Sequence, residues 1–386
     1  MRGRNCFARF DDLRAGVAWE FSRPACRLAA VRPDEVAPLL AEVEAATAGG
    51  WWACGFVAYE AALDRRLAVH PPAHGLPLAW FGVCAPPRLV PAVREPDPAA
   101  YRVGEWWLAW DSETHRARVE AVRRHIAAGE TYQVNLTTHL TAETLGDPFA
   151  LYTDLALGQR GAFNAYLDVG MFVVASASPE LFFETRGRQV RMRPMKGTAR
   201  RGDTPAEDAV IVAALRASEK ERAENIMIVD LVRNDLARVA VTGSVRVTSL
   251  LHAERYATVH QLTSEVCARL RPGIGLPEVF RALFPCGSVT GAPKPRTMEI
   301  IRDVEDGPRG VYCGAIGMVA PADAPFQARF SVPIRTVLLD RATGVAAYGV
   351  GGGITWGSDP AAEYAELAAK TEVFTRLVRL DRSRCC

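Results

Sequence analysis

No stretch of this 386-residue sequence is apolar for long enough to cross a bilayer as a helix. Zinc spacing is missing as well: there is no C-x-x-C and no H-E-x-x-H, and the seven histidines are dispersed. No Walker A sequence occurs, and no G-x-G-x-x-G follows a strand pattern at a helix start, which excludes a P-loop or a dinucleotide site. Neither a long basic arm nor a strong charge imbalance is present. The net charge is +2, so nucleic acid is not an expected partner. Nine cysteines stand at 6, 26, 54, 84, 267, 286, 313, 385 and 386. An odd, irregular set suits a reducing compartment better than a disulfide framework. Cys286, in FPCGSV, lacks the G-x-C-x-G nucleophile elbow, so a glutaminase or thiol hydrolase is not expected. The first residues carry Arg2, Arg4 and Arg9 without an apolar run. No secretory leader is expected, no membrane segment, and a cytoplasmic location.

What remains is a globular composition, with 49% hydrophobic and 23% charged residues, enough for one large domain or two ordinary ones. Helix signals are clear at 34–47, ended by Gly49 and Gly50, and at 112–128, ended by Gly129. Shorter helices are expected at 148–157, stopped by Gly158, and at 276–283, with another in PRTMEIIRDVE. A helix over 204–228 opens on Thr204, Pro205 and Glu207, a capping box. IMIVDLV either continues it or enters a sheet. The last helix starts at Asp359 and Pro360 and runs over 360–379. Between these, short alternating runs read as strands, and 310–356 reads as a three-stranded meander. This is not a regular βαβ alternation and no period repeats, so α+β with extensive antiparallel sheet fits best.

Several stretches carry residues suited to chemistry. Glu221 and Glu224 lie three apart on one helix, Glu363 and Glu366 on another, so each pair leaves one helix face. Two such helices facing across a cleft would hold Mg2+; each pair alone fits a solvated acidic face better than a metal site. Lys196, in RPMKGTARRG, has Arg191, Arg193, Arg200 and Arg201 nearby. Neighbouring cations would lower its pKa and attract an anion, and a plain basic surface loop has the same composition. Glu180 follows a proline at a strand end, either as an acid–base group or as a turn carboxylate. His260 suits proton transfer or a buried hydrogen bond. GVGGGITWGSDP reads as an anion-binding glycine loop or as a tight turn. In YQVNLT, Gln133, Asn135 and Thr137 share one strand face, which lines a cleft or meets solvent.

Seven stretches in order, YQVNLT, SASPELFF, PMKGTARRG, EKERAENIMIVDLVRNDLARV, GSVTGAPKPRTMEII, RGVYCGAIG and GGGITWGSDPAAEYAE, closely resemble the chorismate-utilising enzymes. The resemblance covers 110–380. It implies two facing antiparallel sheets with flanking helices around a central cleft. Residues 1–100 would be the variable N-terminal part of that fold, 101–380 the chorismate-binding catalytic domain, and 381–386 a tail.

The resemblance places Mg2+ at Glu221, Glu224, Glu363 and Glu366. It places the substrate's carboxylates near Thr290, Tyr312, Arg335, Gly351, Gly352, Gly353 and Lys370. Lys196, Glu180 and His260 become the catalytic set, with His260 near the C4 oxygen. Isochorismate and salicylate synthases carry a lysine where this chain has Gln133, so ammonia is the expected nucleophile. Anthranilate synthases read P-x-AGT where aminodeoxychorismate synthases read P-x-KGT. This chain reads PMKGT, which favours the aminodeoxychorismate branch over the anthranilate branch, for folate or for a secondary metabolite. A separate glutamine amidotransferase subunit would supply the ammonia, since none is encoded here, and DRSRCC is too short for a fused lyase. The L-L-E-S tryptophan signature is poor, WEFSRP keeping only Glu20 and Ser22, which speaks against feedback by tryptophan.

Overall fold

The computed structural model describes residues 7–256 and 259–379. The 381–386 tail, with Cys385 and Cys386, lies outside the described residues, as does Cys6. Among the described residues eight α-helices form: α1 Pro33–Ala48, α2 Ser112–Ala127, α3 Pro148–Gln159, α4 Pro205–Ala217, α5 Glu219–Ala237, α6 Leu276–Leu283, α7 Lys294–Val304 and α8 Pro360–Arg379. Two antiparallel sheets lie between them. The spine of the first runs Gly291–Ala292, Gln133–Gly146, Val345–Ile354, Thr336–Asp340, Phe172–Ser178, Phe163–Asp168, Ala8–Asp12, Val17–Phe21, Arg88–Pro91. That of the second runs Met195–Arg200, Val259–Arg269, Gln189–Arg193, Leu181–Arg186, Ala328–Ser331, Ala315–Val319, Trp52–Val57, Ala79–Cys84, Cys26–Ala30. Strands from the first hundred residues therefore join both sheets.

Burial on both sides explains why these strands read as apolar runs. Phe10, Phe21 and Val174 of the first sheet meet Trp52, Phe56, Trp80 and Ile316 of the second in one buried cluster. Behind the second sheet, Phe183 and Phe330 pack against Phe280 of α6, with ring centroids 5.1–5.5 Å apart. Leu40 and Val43 of α1 and Val232 and Leu236 of α5 close the same cluster. Outside the first sheet, Leu151, Tyr152 and Leu155 of α3 and Leu367 of α8 cover Val173, Leu339 and Val350. The result is helix, sheet, sheet, helix. Removing a fully buried ring such as Phe280 would cost about 3–5 kcal/mol.

Three sequence expectations change. The helix expected over 204–228 is two helices, because Ser218 leaves the helical region at ψ 117 and caps α5 through a bond from the Glu221 N–H. The capping box at Thr204 and Glu207 is real, and IMIVDLV stays helical. Helix α3 passes through Gly158 and ends on Arg160, which is left-handed at φ 51. The 310–356 meander is instead two hairpins in different sheets. Ala315–Val319 pairs with Ala328–Ser331 in the second, and Thr336–Asp340 with Val345–Ile354 in the first. Pro333 has no N–H to continue a ladder, and the chain changes sheet beside it.

Candidate active site

Lys196 sits on Met195–Arg200, the edge strand of the second sheet, and reaches toward the first. A methyl group placed on Gly353 would stand 2.3 Å from Gln133 Nε2 and 3.2 Å from Lys196 Nζ. The lysine amine, the Gln133 amide and the glycine strand thus converge at one point. Burial lowers the Lys196 pKa, and Lys370 lowers it further, against Glu224, Glu180 and Glu366. Three of the four arginines assigned this task are spent elsewhere. Arg191 pairs with Glu184 and Glu265, Arg193 with Glu254, and Arg201 with Asp208. Desolvation, with one lysine neighbour, favours the neutral amine.

Glu180 is 2% exposed, just before the strand Leu181–Arg186. Burial pushes its carboxyl up to about 7, against the Ser288 hydroxyl, the Lys196 charge and the Met195 N–H. Among the described residues its Oε1 has no hydrogen-bond partner. A carboxyl half-protonated near neutrality beside a lysine suits proton donation. His260 is buried too, but its Nε2 lies 2.8 Å from Asp208 Oδ1 on α4. Asp208 also binds the Arg201 guanidinium and the Gly202 N–H. His260 is therefore a held residue, joined to α4.

The carboxylate pairs do face each other. In α5 the Glu221 pKa is raised by burial and, across the cleft, by Glu366 and Glu363, with Lys220 and Lys196 opposing. Glu224 is raised by burial, Glu221 and Glu363, against Lys196 and Lys220, and its buried Oε1 has no hydrogen-bond partner among the described residues. On α8, whose start is capped by Asp359 at 2.9 Å from the Ala362 N–H, Glu363 accepts from the Ser358 hydroxyl at 2.6 Å. Glu366 pairs with Lys370 at 2.8 Å, which holds its pKa down against burial. Among the described residues no three His, Cys, Asp or Glu side chains close tightly enough to enclose an ion. Two opposed half-sites, one with an orphaned buried oxygen, fit a hard cation that keeps waters and ligand oxygens in its shell.

The glycine segment is a strand rather than a loop. Gly351 lies opposite Thr137, Gly352 opposite Leu136 and Gly353 opposite Asn135. A side chain at Gly351 would strike the Leu136 carbonyl at 2.3 Å, and one at Gly349 the Tyr312 ring at 2.2 Å. Glycine is used here for close approach. Its pairing with Thr336–Asp340 covers 345–348. Further on, the Gly351 carbonyl accepts from Lys370 Nζ at 2.7 Å, and the polar edge of the strand turns toward the cleft. Gln133, Asn135 and Thr137 are all buried, so that strand face does not meet solvent; Gln133 lies beside Gly353 and Lys196, and the Thr137 hydroxyl donates to Glu305 at 3.0 Å.

Arg335, at φ 54, donates to Gln159 and has no carboxylate partner among the described residues. Burial lowers its pKa. A poorly hydrated, acid-free guanidinium is a place for a carboxylate. Burial likewise raises the Tyr312 phenol. Thr290 is fully buried, and its hydroxyl donates back to Cys286 and Gly287 carbonyls at 3.2 and 3.3 Å. Its own carbonyl accepts from the Asn135 N–H at 2.7 Å, so it shapes the loop behind the cleft. Sequence reasoning missed Ser288, Asp208 and Asn225. Asp208 follows the capping-box Glu207 directly, yet nothing in the sequence points it at His260.

Comparison with known proteins gives a consistent result. Aminodeoxychorismate synthase of Streptomyces griseus is 45% identical over 305 residues, 78% of this chain and 42% of that protein. Aminodeoxychorismate synthase component 1 of Escherichia coli is 37% identical over 262 residues, 68% and 57%. Anthranilate synthase component 1 of Streptomyces coelicolor is 40% identical over 283 residues, 73% and 54%. The chain spans about half the length of these curated relatives. The crystal structure of anthranilate synthase component I from Streptococcus pneumoniae superposes with a TM-score of 0.80 at 24% identity, covering 95% of this chain and 92% of that one. Residues 21–376 match the chorismate binding enzyme family, and the chain belongs to it.

Proposed function

We propose that this chain is the component 1 subunit of an aminodeoxychorismate synthase. It aminates chorismate at C4 with ammonia from a separate glutamine amidotransferase subunit, giving 4-amino-4-deoxychorismate. The observation that carries this reading is the Lys196 amine, desolvated and set between Gln133, Gly353 and Glu180. Relatives named aminodeoxychorismate synthase support the branch, and the printed name "component 1" supports a partner subunit.

The neutral Lys196 amine forms a bond to ring carbon C2. Both conjugated ring double bonds shift by one position, and the C4 hydroxyl leaves as water with the proton of Glu180. Ammonia then bonds to C4, both double bonds return, and Lys196 departs as the free amine. The new C4 ammonium gives its extra proton to the Glu180 carboxylate, which restores the acid. Gln133 offers its amide beside the attacking groups, where a lysine would activate water instead. Arg335 and the free edge of the glycine strand receive the substrate's carboxylates. Proton donation is assigned to Glu180 because His260 is already held by Asp208. Glu221, Glu224, Glu363 and Glu366 would hold Mg2+, which supplies a Lewis-acid anchor for a substrate carboxylate.

The test is the product formed from chorismate, ammonium and Mg2+, read by mass and fluorescence, with and without aminodeoxychorismate lyase. A non-fluorescent amino product that yields 4-aminobenzoate only with the lyase is expected. Anthranilate forming directly would establish the second reading, which the relatives named anthranilate synthase favour.

A further inference from the structure

The strand that carries Lys196 is not regular. Met195 lies opposite Thr263, and Thr198 lies opposite Gln261. Three steps along one strand therefore match two along the other, which is a β-bulge at Lys196 and Gly197. Gly197 has φ +91 there, and a side chain on it would meet Glu221 Oε2 at 3.0 Å and Leu262 Cδ1 at 3.2 Å. A bulge interrupts the ladder and re-aims the side chain at that point. The carbonyls on its two strands must then find donors from outside the ladder.

Both find the same one. Asn225 Nδ2 donates to the Lys196 carbonyl and to the Leu262 carbonyl, each at 3.3 Å. Its Oδ1 accepts from the Ser264 hydroxyl at 2.6 Å, and that hydroxyl's oxygen accepts from the Leu251 N–H at 3.1 Å. Asn225 is 2% exposed and has every polar group of its side chain engaged. Asparagine is a poor helix former, yet it stands inside α5, next to Glu224.

We propose that Asn225 is a positioning residue that holds the Lys196 bulge in register with α5, fixing the lysine amine relative to the carboxylates of that helix. This rests on the reading of Lys196 as the nucleophile. Asn225 touches the backbone of the reacting residue and not the substrate, so its loss misplaces the amine and leaves binding groups intact. A displacement of about 1 Å at a nucleophile costs on the order of a hundredfold in rate. Ser264 reaches the lysine through Asn225, by fixing which way its amide faces.

The experiment compares Asn225→Ala, Ser264→Ala, their double variant and Lys196→Ala, with chorismate, Mg2+ and ammonium. Asn225→Ala is expected to lower kcat about a hundredfold, with the chorismate KM within about threefold of the parent. Ser264→Ala should lower kcat by less, and the double variant should match Asn225→Ala alone, because the two residues act as one unit. Should Asn225→Ala fail to fold, Ser264→Ala and Asn225→Asp carry the test, the latter losing both donors at constant shape. Turnover of Asn225→Ala or Asn225→Asp within twofold of the parent overturns the proposal, as does a loss confined to KM. Full turnover by Lys196→Ala would overturn the underlying reading instead, whatever Asn225 does.

Discussion

Lys196 and Lys294 lie in two equally recognisable stretches, PMKGT and GAPK; Lys294 is buried, whereas Lys196 is half-buried and reaches the cleft beside Gly353. Lys294 is 6% exposed. Its ammonium donates to Asp235 at 2.6 Å and to the carbonyls of Leu283 and Pro285 at 3.1 and 2.8 Å, filling all three donor positions. Lys196 has carboxylates near enough to act on its charge, and burial still wins, lowering its pKa. Among the described residues one ammonium has all three donor positions engaged and the other has no hydrogen-bond partner. A satisfied buried lysine serves architecture, because its charge is fixed. An unsatisfied one is free to lose its proton and form a bond. Nothing in the local sequence tells the two apart.

The comparison breaks most visibly at Lys196 itself. Lys196→Ala should lose at least about a thousandfold in turnover while keeping chorismate binding and thermal stability, read by steady-state rates and a melting curve. Lys294→Ala should do the reverse. It strands Asp235, whose pKa burial already raises, and should cost about 3–5 kcal/mol in urea unfolding. Glu180→Gln should lower turnover about a hundredfold and remove the alkaline limb of the pH profile. The sign follows from a carboxyl pushed up to about 7: protonated and able to donate below that pH, it loses its proton above it. In the parent, kcat should therefore fall as pH rises through about 7 wherever departure of the C4 hydroxyl limits the rate. Gly353→Ala is the mildest test. Its methyl group must displace Gln133 and crowd Lys196, so turnover should fall about tenfold with stability little changed.

Helices were legible where their caps were, as at Thr204 with Glu207 and at Asp359 with Pro360. The break between α4 and α5 had its signal as well, since Ser218 and Glu221 repeat the S-x-x-E spacing, but the acidic run around them read as one helix. The sheet change beside Pro333 was illegible because an apolar alternation looks the same whichever sheet receives it. Of the site, the carboxylate pairs were visible through their three-residue spacing. Arg191, Arg193 and Arg201 misled because sequence proximity to Lys196 says nothing of which acids take them, here Glu184, Glu254 and Asp208. The bulge at Lys196 and the reach of Asn225 depend on register between strands more than sixty residues apart.

The change of sheet beside Pro333 also bears on how the molecule is made. The chain enters the first sheet at Ala8–Asp12, leaves for the second at Cys26–Ala30, and crosses between them repeatedly before Val345–Ile354 arrives. That late strand pairs along its whole length with Gln133–Gly146, synthesised two hundred residues earlier. Until it docks, the earlier strand waits with an open edge, exposed to any neighbour that can pair with it. Such non-local topology folds slowly. Neither sheet can therefore serve as an autonomous folding unit, and the segment that completes the candidate cleft is also the one that ends the nascent chain's exposure to aggregation.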